Sequence, residues 1–493
     1  MLETSEWMKQ RIFRIEPTLK YEENSTHRFF SDELKYSFGR QTTENQVVTN
    51  GIGITEQIRI KPSYIKNYLS SSFKLGKSML QIHSLLRYTD RREELSTASD
   101  SIPLYNVTEC FATRSTMTRN SITTSIPTLG NDLDISLRAY YRNNSYNYQG
   151  DIYHRTFKLQ GEPGYTWKYT KQSYVSFGLP IEWTRISLSE NNKLSARNFI
   201  AFKPYLTLQQ VLTSKLTVNL SSSISTDDNS LDFYALKPLR EGYRNIQVIG
   251  NDVYKSTHLY TSLHFRYRNL ATMLFANLSL TYSDTRSEAY CNYEYNDSMT
   301  IMKWVRGSNH RHNIAINAML DKTFIPIGVS LKFDATYNRD SYLVSQSGVM
   351  VNNHSHHASG TLTTSFQKIS WLRLSAAFTA KYYWEQSSIM KLDVLSSYTT
   401  NAALYLFPTK KLELKMKFYN LTNEVMDGHY HTCSLLDGDF NYKINNVWEL
   451  GVSGTNLLNS KSYSITQNTG INTFNTFLPL RGRELLLRIQ LRL

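Results

Sequence analysis

The last thirteen residues, Arg481-Gly482-Arg483-Glu484-Leu485-Leu486-Leu487-Arg488-Ile489-Gln490-Leu491-Arg492-Leu493, decide the fold. Leu485, Leu487, Ile489, Leu491 and Leu493 lie on one side of an extended chain, with Glu484, Arg488, Gln490 and Arg492 on the other and Leu486 the exception. Successive side chains of a β-strand point to opposite faces, so this segment is a strand with one apolar and one polar face. Wound as a helix, it would carry charge on every side.

The same period recurs upstream. Leu133, Ile135, Leu137, Ala139 and Tyr141 alternate with Asp134, Ser136, Arg138, Tyr140 and Arg142. Leu216, Val218, Leu220 and Ile224 alternate with Thr217, Asn219, Ser221 and Ser223, and Leu274 to Tyr282 repeats the pattern. Val329, Leu331, Phe333, Ala335 and Tyr337 oppose Ser330, Lys332, Asp334 and Thr336, while Leu412, Leu414, Met416 and Phe418 oppose Glu413, Lys415, Lys417 and Tyr419. A strand half in lipid must read this way for about ten residues, but so do the strands of a large soluble antiparallel protein.

Connections separate the two readings, because a membrane barrel alternates tight turns at one end with long loops at the other. Tight turns are expected at Gly130-Asn131-Asp132, Lys171-Gln172, Thr213-Ser214-Lys215, Arg268-Asn269, Asp321 to Pro326, Lys368-Ile369-Ser370, Pro408-Thr409-Lys410 and Asn445-Asn446. Between them lie polar stretches read as long loops, 227–256, 284–309, 339–357 and 461–480. Tyr267, Tyr282, Tyr337, Tyr382, Tyr383, Trp384, Phe407, Tyr442 and Trp448 fall where such strands would cross a membrane interface. With an earlier hairpin near 54–90, a pair near 11–39 and the terminal strand, the expectation is an all-β fold: a large antiparallel transmembrane β-barrel of roughly 20 to 22 strands, with short periplasmic turns and long extracellular loops.

Composition agrees. A chain of 493 residues with only 11 Pro and 21 Gly shows no linker, which favours one repetitive architecture over several domains. Mean hydropathy is negative and no stretch approaches 18 apolar residues, which excludes a helical membrane protein and leaves a barrel open. Cys110, Cys291 and Cys433 are too scattered for a disulfide framework or a zinc site. The formal charge of +14 is spread through strand-like segments rather than gathered on a tail or helix, so nucleic acid is not an expected partner.

Gly454-Thr455-Asn456-Leu457-Leu458-Asn459, followed by Leu478-Pro479-Leu480-Arg481-Gly482-Arg483 and the final strand, resembles the C-terminus of TonB-dependent receptors. In that family an N-L-F/L-N motif, here Asn456, Leu457, Leu458 and Asn459, closes the penultimate strand, and a P-x-x-G-R-like stretch, here Pro479, Gly482 and Arg483, opens the last. Asn420-Leu421-Thr422-Asn423 looks like a second, degenerate copy. The alternative is local turn chemistry, since Asn at a strand end bonds its own backbone. Family members usually end in Phe or Trp, whereas this chain ends in Leu493, so recognition by the barrel-assembly machinery would rest on Leu485, Leu487, Ile489, Leu491 and Leu493.

The resemblance implies the barrel of an outer-membrane nutrient receptor or transporter in the bacterial cell outer membrane, with TonB engaged only through a plug domain. Residues 1–493 are read as that barrel alone, an N-terminally truncated form lacking the plug and its first strand or strands, because Met1 to Trp7 shows neither a basic nor an apolar leader segment. The other reading is a passive porin-like or structural surface barrel without energised transport. The expected partners are outer-membrane lipid, the assembly machinery and a plug supplied by the missing segment.

No G-x-S-x-G, H-E-x-x-H or phosphate-cradling loop occurs, so no enzyme, catalytic residue or cofactor is expected. His354, His356 and His357, in an expected outer loop, with His310 and His312 in another, are candidate metal ligands, although solvated loop histidines explain them as well. Arg138, Arg142, Arg266, Lys332, Arg373, Lys415, Lys417, Arg488 and Arg492 share the lumen-facing register. They would attract anions or pair with carboxylates of a plug or of neighbouring strands.

Overall fold

The computed structural model describes residues 4–491 apart from 50–51, 100–105, 148–150, 191–192, 230–238, 241–244, 249–253, 296–299, 389–393, 427, 446 and 470–471. Its first half runs through β1 (Thr4–Ile15), β2 (Thr18–Asn24), β3 (Arg28–Thr49), β4 (Ile52–Leu75), β5 (Ser78–Ser99), β6 (Val107–Thr128), β7 (Asn131–Asn147), β8 (Asp151–Lys168), β9 (Tyr174–Gly178), β10 (Ile181–Glu190), β11 (Lys193–Phe202), β12 (Tyr205–Thr213) and β13 (Leu216–Asn229). After two short pieces, β14 (Leu239–Arg240) and β15 (Asn245–Val248), come β16 (Tyr254–Asn269), β17 (Leu274–Tyr295), β18 (Thr300–Phe324), β19 (Val329–Gln346), β20 (Val349–Phe366), β21 (Leu372–Ser387) and β22 (Leu395–Thr409). The chain finishes with β23 (Leu412–Met426), β24 (His429–Lys443), β25 (Trp448–Thr455), the hairpin β26 (Ser462–Thr469) and β27 (Asn472–Pro479), and β28 (Glu484–Leu491).

All but β26 and β27 belong to one 26-stranded sheet, the wall of a large antiparallel β-barrel. Three breaks in it are made by proline, which has no N–H to give the ladder. Pro17, Pro180 and Pro204 separate β1 from β2, β9 from β10 and β11 from β12, yet the carbonyl of each still accepts a bond from the next strand, from the amides of Tyr36 (3.1 Å), Lys203 (2.9 Å) and Ile224 (2.9 Å). Each such pair is one continuous strand. With β14 and β15 set aside as loop excursions, 21 wall strands remain of the 26. Each is antiparallel to its sequence neighbour, from β1/β2 to β28.

One end of the wall carries compact turns. Gly76-Lys77, Leu129-Gly130, Tyr169 to Ser173, Ser214-Lys215, Leu270 to Met273, the 3₁₀ turn Ile325–Ile327 and Lys410-Lys411 lie there, at or beside the positions expected from the sequence. Leu129 and Gly130 take φ of 44° and 89°, the left-handed pair that matches the twist of a two-residue hairpin. The opposite end differs from expectation. Residues 284–309 and 339–357 are mostly strand, β17, β18, β19 and β20 running on to a connection at 296–299 and a tight turn at Ser347-Gly348. His310, His312, His354, His356 and His357 therefore stand on strands rather than in loops.

The ladder keeps the faces apart across strands. Ala276, Leu320, Phe333, Leu362 and Phe378 are successive partners on one face, and Met319, Asp334, Thr361 and Thr379 form the adjacent row on the other. Exposure is inverted relative to a soluble protein: Leu137 is 56% and Leu362 50% exposed, while Ser136, His154 and Thr184 on the polar face are 4%, 1% and 0% exposed. Tyr282, Tyr337, Tyr382 and Trp384 share the apolar register, but Tyr383 does not: its hydroxyl donates to Glu385 Oε2 at 2.7 Å on the polar face.

Candidate functional site

Three groups of side chains stand out: the Asn456 motif, the ion pairs of the polar face, and the histidines. The motif turns the chain out of β25 at the loop end of the wall. Asn456 and Asn459 take φ of 48° and 58°, a conformation asparagine tolerates better than other side chains. The Asn456 amide nitrogen donates to the carbonyls of Ser460 (2.9 Å) and Arg481 (2.7 Å), and its oxygen accepts from the Ser460 amide (2.9 Å). Its backbone N–H reaches Asp437 Oδ1 at 2.8 Å. Asn459 Oδ1 accepts from the Arg483 amide at 3.3 Å, so the two asparagines hold both ends of the excursion that carries β26 and β27.

Leu457 is the packing element. Its amide bonds the Leu436 carbonyl at 2.8 Å, and its side chain sits against Gly454, where an added Cβ would come within 2.7 Å of Cδ2. Leu458 is 49% exposed. Gly482 lies beside Asn459, where a Cβ would approach Oδ1 to 3.3 Å, and Pro479 ends β27 opposite Ser462. These contacts let the chain re-enter the wall at Glu484, and β28 then pairs with β25 from Trp448↔Leu491 to Thr455↔Glu484. Leu485, Leu487, Ile489 and Leu491 share one face as the alternation predicts; Arg492 and Leu493 lie outside the described residues.

The polar face carries cations that the wall itself neutralises in several places. Arg138 Nη1 is 2.8 Å from Glu162 Oε2, and Lys332 Nζ is 2.9 Å from Asp334. Glu182, 5% exposed, faces Lys203 at 3.0 Å and Lys158 at 3.9 Å. Glu16, beside the Pro17 break, contacts Arg14 and Lys35 and accepts from Tyr64 Oη at 2.9 Å, while Arg87 lies 5.2 Å above the Tyr64 ring. Arg373 and Lys415 lie over Phe407 and Tyr405 at 5.5 Å, and Arg488 donates to Asn441 Oδ1 at 2.9 Å. Cross-strand carboxylates therefore answer part of the basic register, one of the partners expected from sequence.

Besides Glu182, sequence reasoning missed a second deeply buried acid on this face. Glu385, 2% exposed, accepts from Tyr342 Oη (3.1 Å) and Tyr383 Oη (2.7 Å). The only sequence signal was the i, i+2 spacing of Tyr383 and Glu385, which places both on one face of a strand.

The histidines do not converge. His354 Nδ1 meets Ser341 Oγ at 2.8 Å, His356 Nδ1 meets Tyr337 Oη at 2.9 Å, and the His356 ring stacks on Trp384 at 4.8 Å and 4°. His357 takes the opposite face, across from Asn338. His310 pairs with Asp284, with the His312 ring 5.5 Å away. Among the described residues no three His, Cys, Asp or Glu side chains are grouped as a metal would need.

No protein-family model and no curated protein matches the chain. Among solved structures it is similar to the ferric-catecholate import receptor Fiu from K12 E. coli, with a TM-score of 0.46 and 9% identity over 99% of this chain and 81% of that one. It is similar also to the siderophore receptor PirA from Pseudomonas aeruginosa (0.36, 12%, 98% and 79%) and to the copper transporter OprC (0.41, 9%, 99% and 80%). Likeness at this level carries no functional argument.

Proposed function

We propose that this chain is the wall of a bacterial outer-membrane receptor or transporter of the TonB-dependent type. The observation that carries the membrane reading is the inverted exposure: leucines and phenylalanines face out along successive strands, while serines, threonines and acids of the opposite face are covered. An apolar belt of that extent in water would drive association, and lipid is the solvent that suits it. Every backbone group in such a belt needs a partner, which a continuous antiparallel ladder supplies.

The receptor reading rests on the Asn456 to Asn459 motif and on a wall of 21 strands, the size class whose lumen is wide enough to need a plug. TonB would act through that plug, and the described residues are all wall and connections. The wall would supply the binding surface at its loop end, and coupling to TonB would need that plug.

The test is to export the 493-residue chain, fractionate the envelope and compare heated with unheated samples on a gel. Recovery in the outer membrane with heat-modifiable migration is expected. Recovery as a soluble periplasmic protein refutes the membrane wall.

A further inference from the structure

On β3, β4 and β5 one row of the outward face consists of cations alone. Lys61 and Arg92 are direct ladder partners, and the register of β3 on β4, Phe38↔Ser63 and Gln41↔Ile60, sets Arg40 opposite Lys61. Neighbouring strands stand about 4.8 Å apart, so the three positive side chains start within about 10 Å of one another. Like charges directly opposite each other destabilise a sheet. The acids nearby are already engaged: Glu94 pairs with Arg59 at 3.6 Å, Asp90 with Arg114 at 4.0 Å, and Glu44 accepts from Gln57 Nε2 at 3.2 Å. Glu93, on the lumen face, contacts Arg91. Among the described residues no hydrogen bond or ion pair reaches Arg40, Lys61 or Arg92, and all three are exposed.

The depth of the row is set by the ladder. Tyr36, Ile65 and Tyr88 are themselves partners on the outward face, 42%, 46% and 40% exposed, and each cation lies four residues from one of them toward the loop end. Four residues of strand are about 13 Å, or about 9 Å of depth at a tilt near 45°. With the tyrosines at the lipid border, long basic side chains at that height reach the headgroup layer. Beside them the wall opens into a cavity of about 230 Å³, whose lining includes Arg59, Lys61, Arg92, Glu94, Cys110 and Asn147.

We infer that this row is a binding site for the phosphate monoester headgroup of a membrane lipid. The apolar belt accepts the acyl chains of any lipid, and the row adds a choice of headgroup. A monoester carries about 1.5 to 2 negative charges near neutral pH, against a single charge on a diester such as phosphatidylglycerol. Three opposed cations with no acid of their own match the more highly charged group, which Lys and Arg hold by charge-assisted hydrogen bonds. Depth selects a lipid over a soluble anion, because a phosphate whose acyl chains lie along the belt is kept at this height.

This inference rests on the membrane reading of the wall and not on the receptor reading. The chain is folded into phosphatidylcholine vesicles, alone or with dioleoyl phosphatidic acid, or with phosphatidylglycerol at matched surface charge. Heat-modifiable migration is checked first, and its failure counts against the wall itself. The readout is the alkylation rate of Cys110, an exposed thiol at the cavity and the ladder partner of Glu94, with Cys291 as internal reference.

Phosphatidic acid should slow Cys110 at least about fivefold relative to Cys291, and phosphatidylglycerol should slow it far less. The triple variant Arg40→Gln, Lys61→Gln, Arg92→Gln should lose that protection, while Lys61→Arg keeps it. Equal slowing by both lipids, or by inorganic phosphate added to phosphatidylcholine vesicles, overturns the lipid monoester. No slowing by either lipid, or protection that survives the triple substitution, overturns the site.

Discussion

Asn456 offers the sharpest test of how the last wall strand is held. The side chain is 8% exposed and makes three hydrogen bonds, to the carbonyls of Ser460 and Arg481 and from the Ser460 amide. Asn456→Ala removes all three and leaves two carbonyls and one amide searching for partners, which at about 1 kcal/mol each comes to about 3 kcal/mol. Alanine at a φ of 48° adds about 1 kcal/mol more. The total of about 4 kcal/mol corresponds to nearly a thousandfold in the folded ratio. Asn456→Gly accepts the backbone and loses only the bonds, so it should cost about 3 kcal/mol. Leu458→Ala, two residues further on and half exposed, should cost within about 0.5 kcal/mol of nothing. The assay is urea unfolding in vesicles, with the midpoint and slope read from the gel shift between folded and unfolded bands. Local rather than global loss would appear as faster exchange at Leu485 and Leu487 with an unchanged midpoint. If Asn456→Ala matches Leu458→Ala on both readouts, the asparagine is a passive turn residue and the staple does not exist.

Three further outcomes follow from the same structure. Leu137→Arg places a cation on the apolar face in mid-strand and should cost about 2 to 4 kcal/mol of folding in vesicles, whereas Thr123→Arg on the polar face should cost far less; equal costs would remove the case for lipid contact. At Gly178 a Cβ would lie 2.5 Å from the Tyr205 ring, so Gly178→Val should destabilise by about 1 to 3 kcal/mol and Tyr205→Ala should recover most of that loss in the double variant; strict additivity would show that the two do not touch. Glu288, on the part of β17 beyond the Tyr282 row, has its carboxyl held below the usual range, first by the Arg197 guanidinium at 2.9 Å, and it accepts the Lys255 amide at 3.1 Å. A lowered folded pKa gives stability that is present above the unfolded pKa of about 4.3 and disappears as pH falls through the folded value. The Lys255 amide should therefore lose protection in the parent as pH falls below the ordinary carboxylate range, and Glu288→Gln should flatten that dependence; a parallel loss in both would assign the acid sensitivity elsewhere.

The fold was legible because the physics of a two-sided wall writes one period through the whole sequence. Leu133 to Arg142 and Leu485 to Leu491 needed no more than alternation to be placed, and the tight turns followed from short polar interruptions between alternating runs. The errors at 284–309 and 339–357 have one cause. Beyond the row of Tyr282, Tyr337 and Trp384 the apolar register changes character: Asp284 and Arg286 on β17, His310 and His312 on β18, and Ser341 and His354 on neighbouring strands now occupy it. Where both faces are wet the strand persists through its backbone ladder while alternation, which records a difference between faces, disappears. Sequence alone cannot tell such a segment from a loop.

The same row says where the membrane stops. A tilted strand needs about 9 to 11 residues to cross the hydrocarbon, and β17 and β18 have 22 and 25 residues. Half or more of each lies outside the belt, and that excess holds the His310–Asp284 pair, while the stack of His356 on Trp384 at its border and the Glu385 acid with its two tyrosines lie on the neighbouring strands. The polar inventory that sequence reading assigned to flexible loops is thus mounted on rigid ladder above the lipid. Rigid mounting lowers the entropy lost when a surface group is fixed by a ligand, so a binding function at this end would draw on the strand extensions rather than on the connections alone. The motif at Asn456 shows the complementary lesson. Its resemblance to a family signature and its turn chemistry are one physical fact, because a chain leaving β25 and returning at β28 needs side chains that bond carbonyls at both ends of the excursion, and asparagine in the left-handed region supplies that.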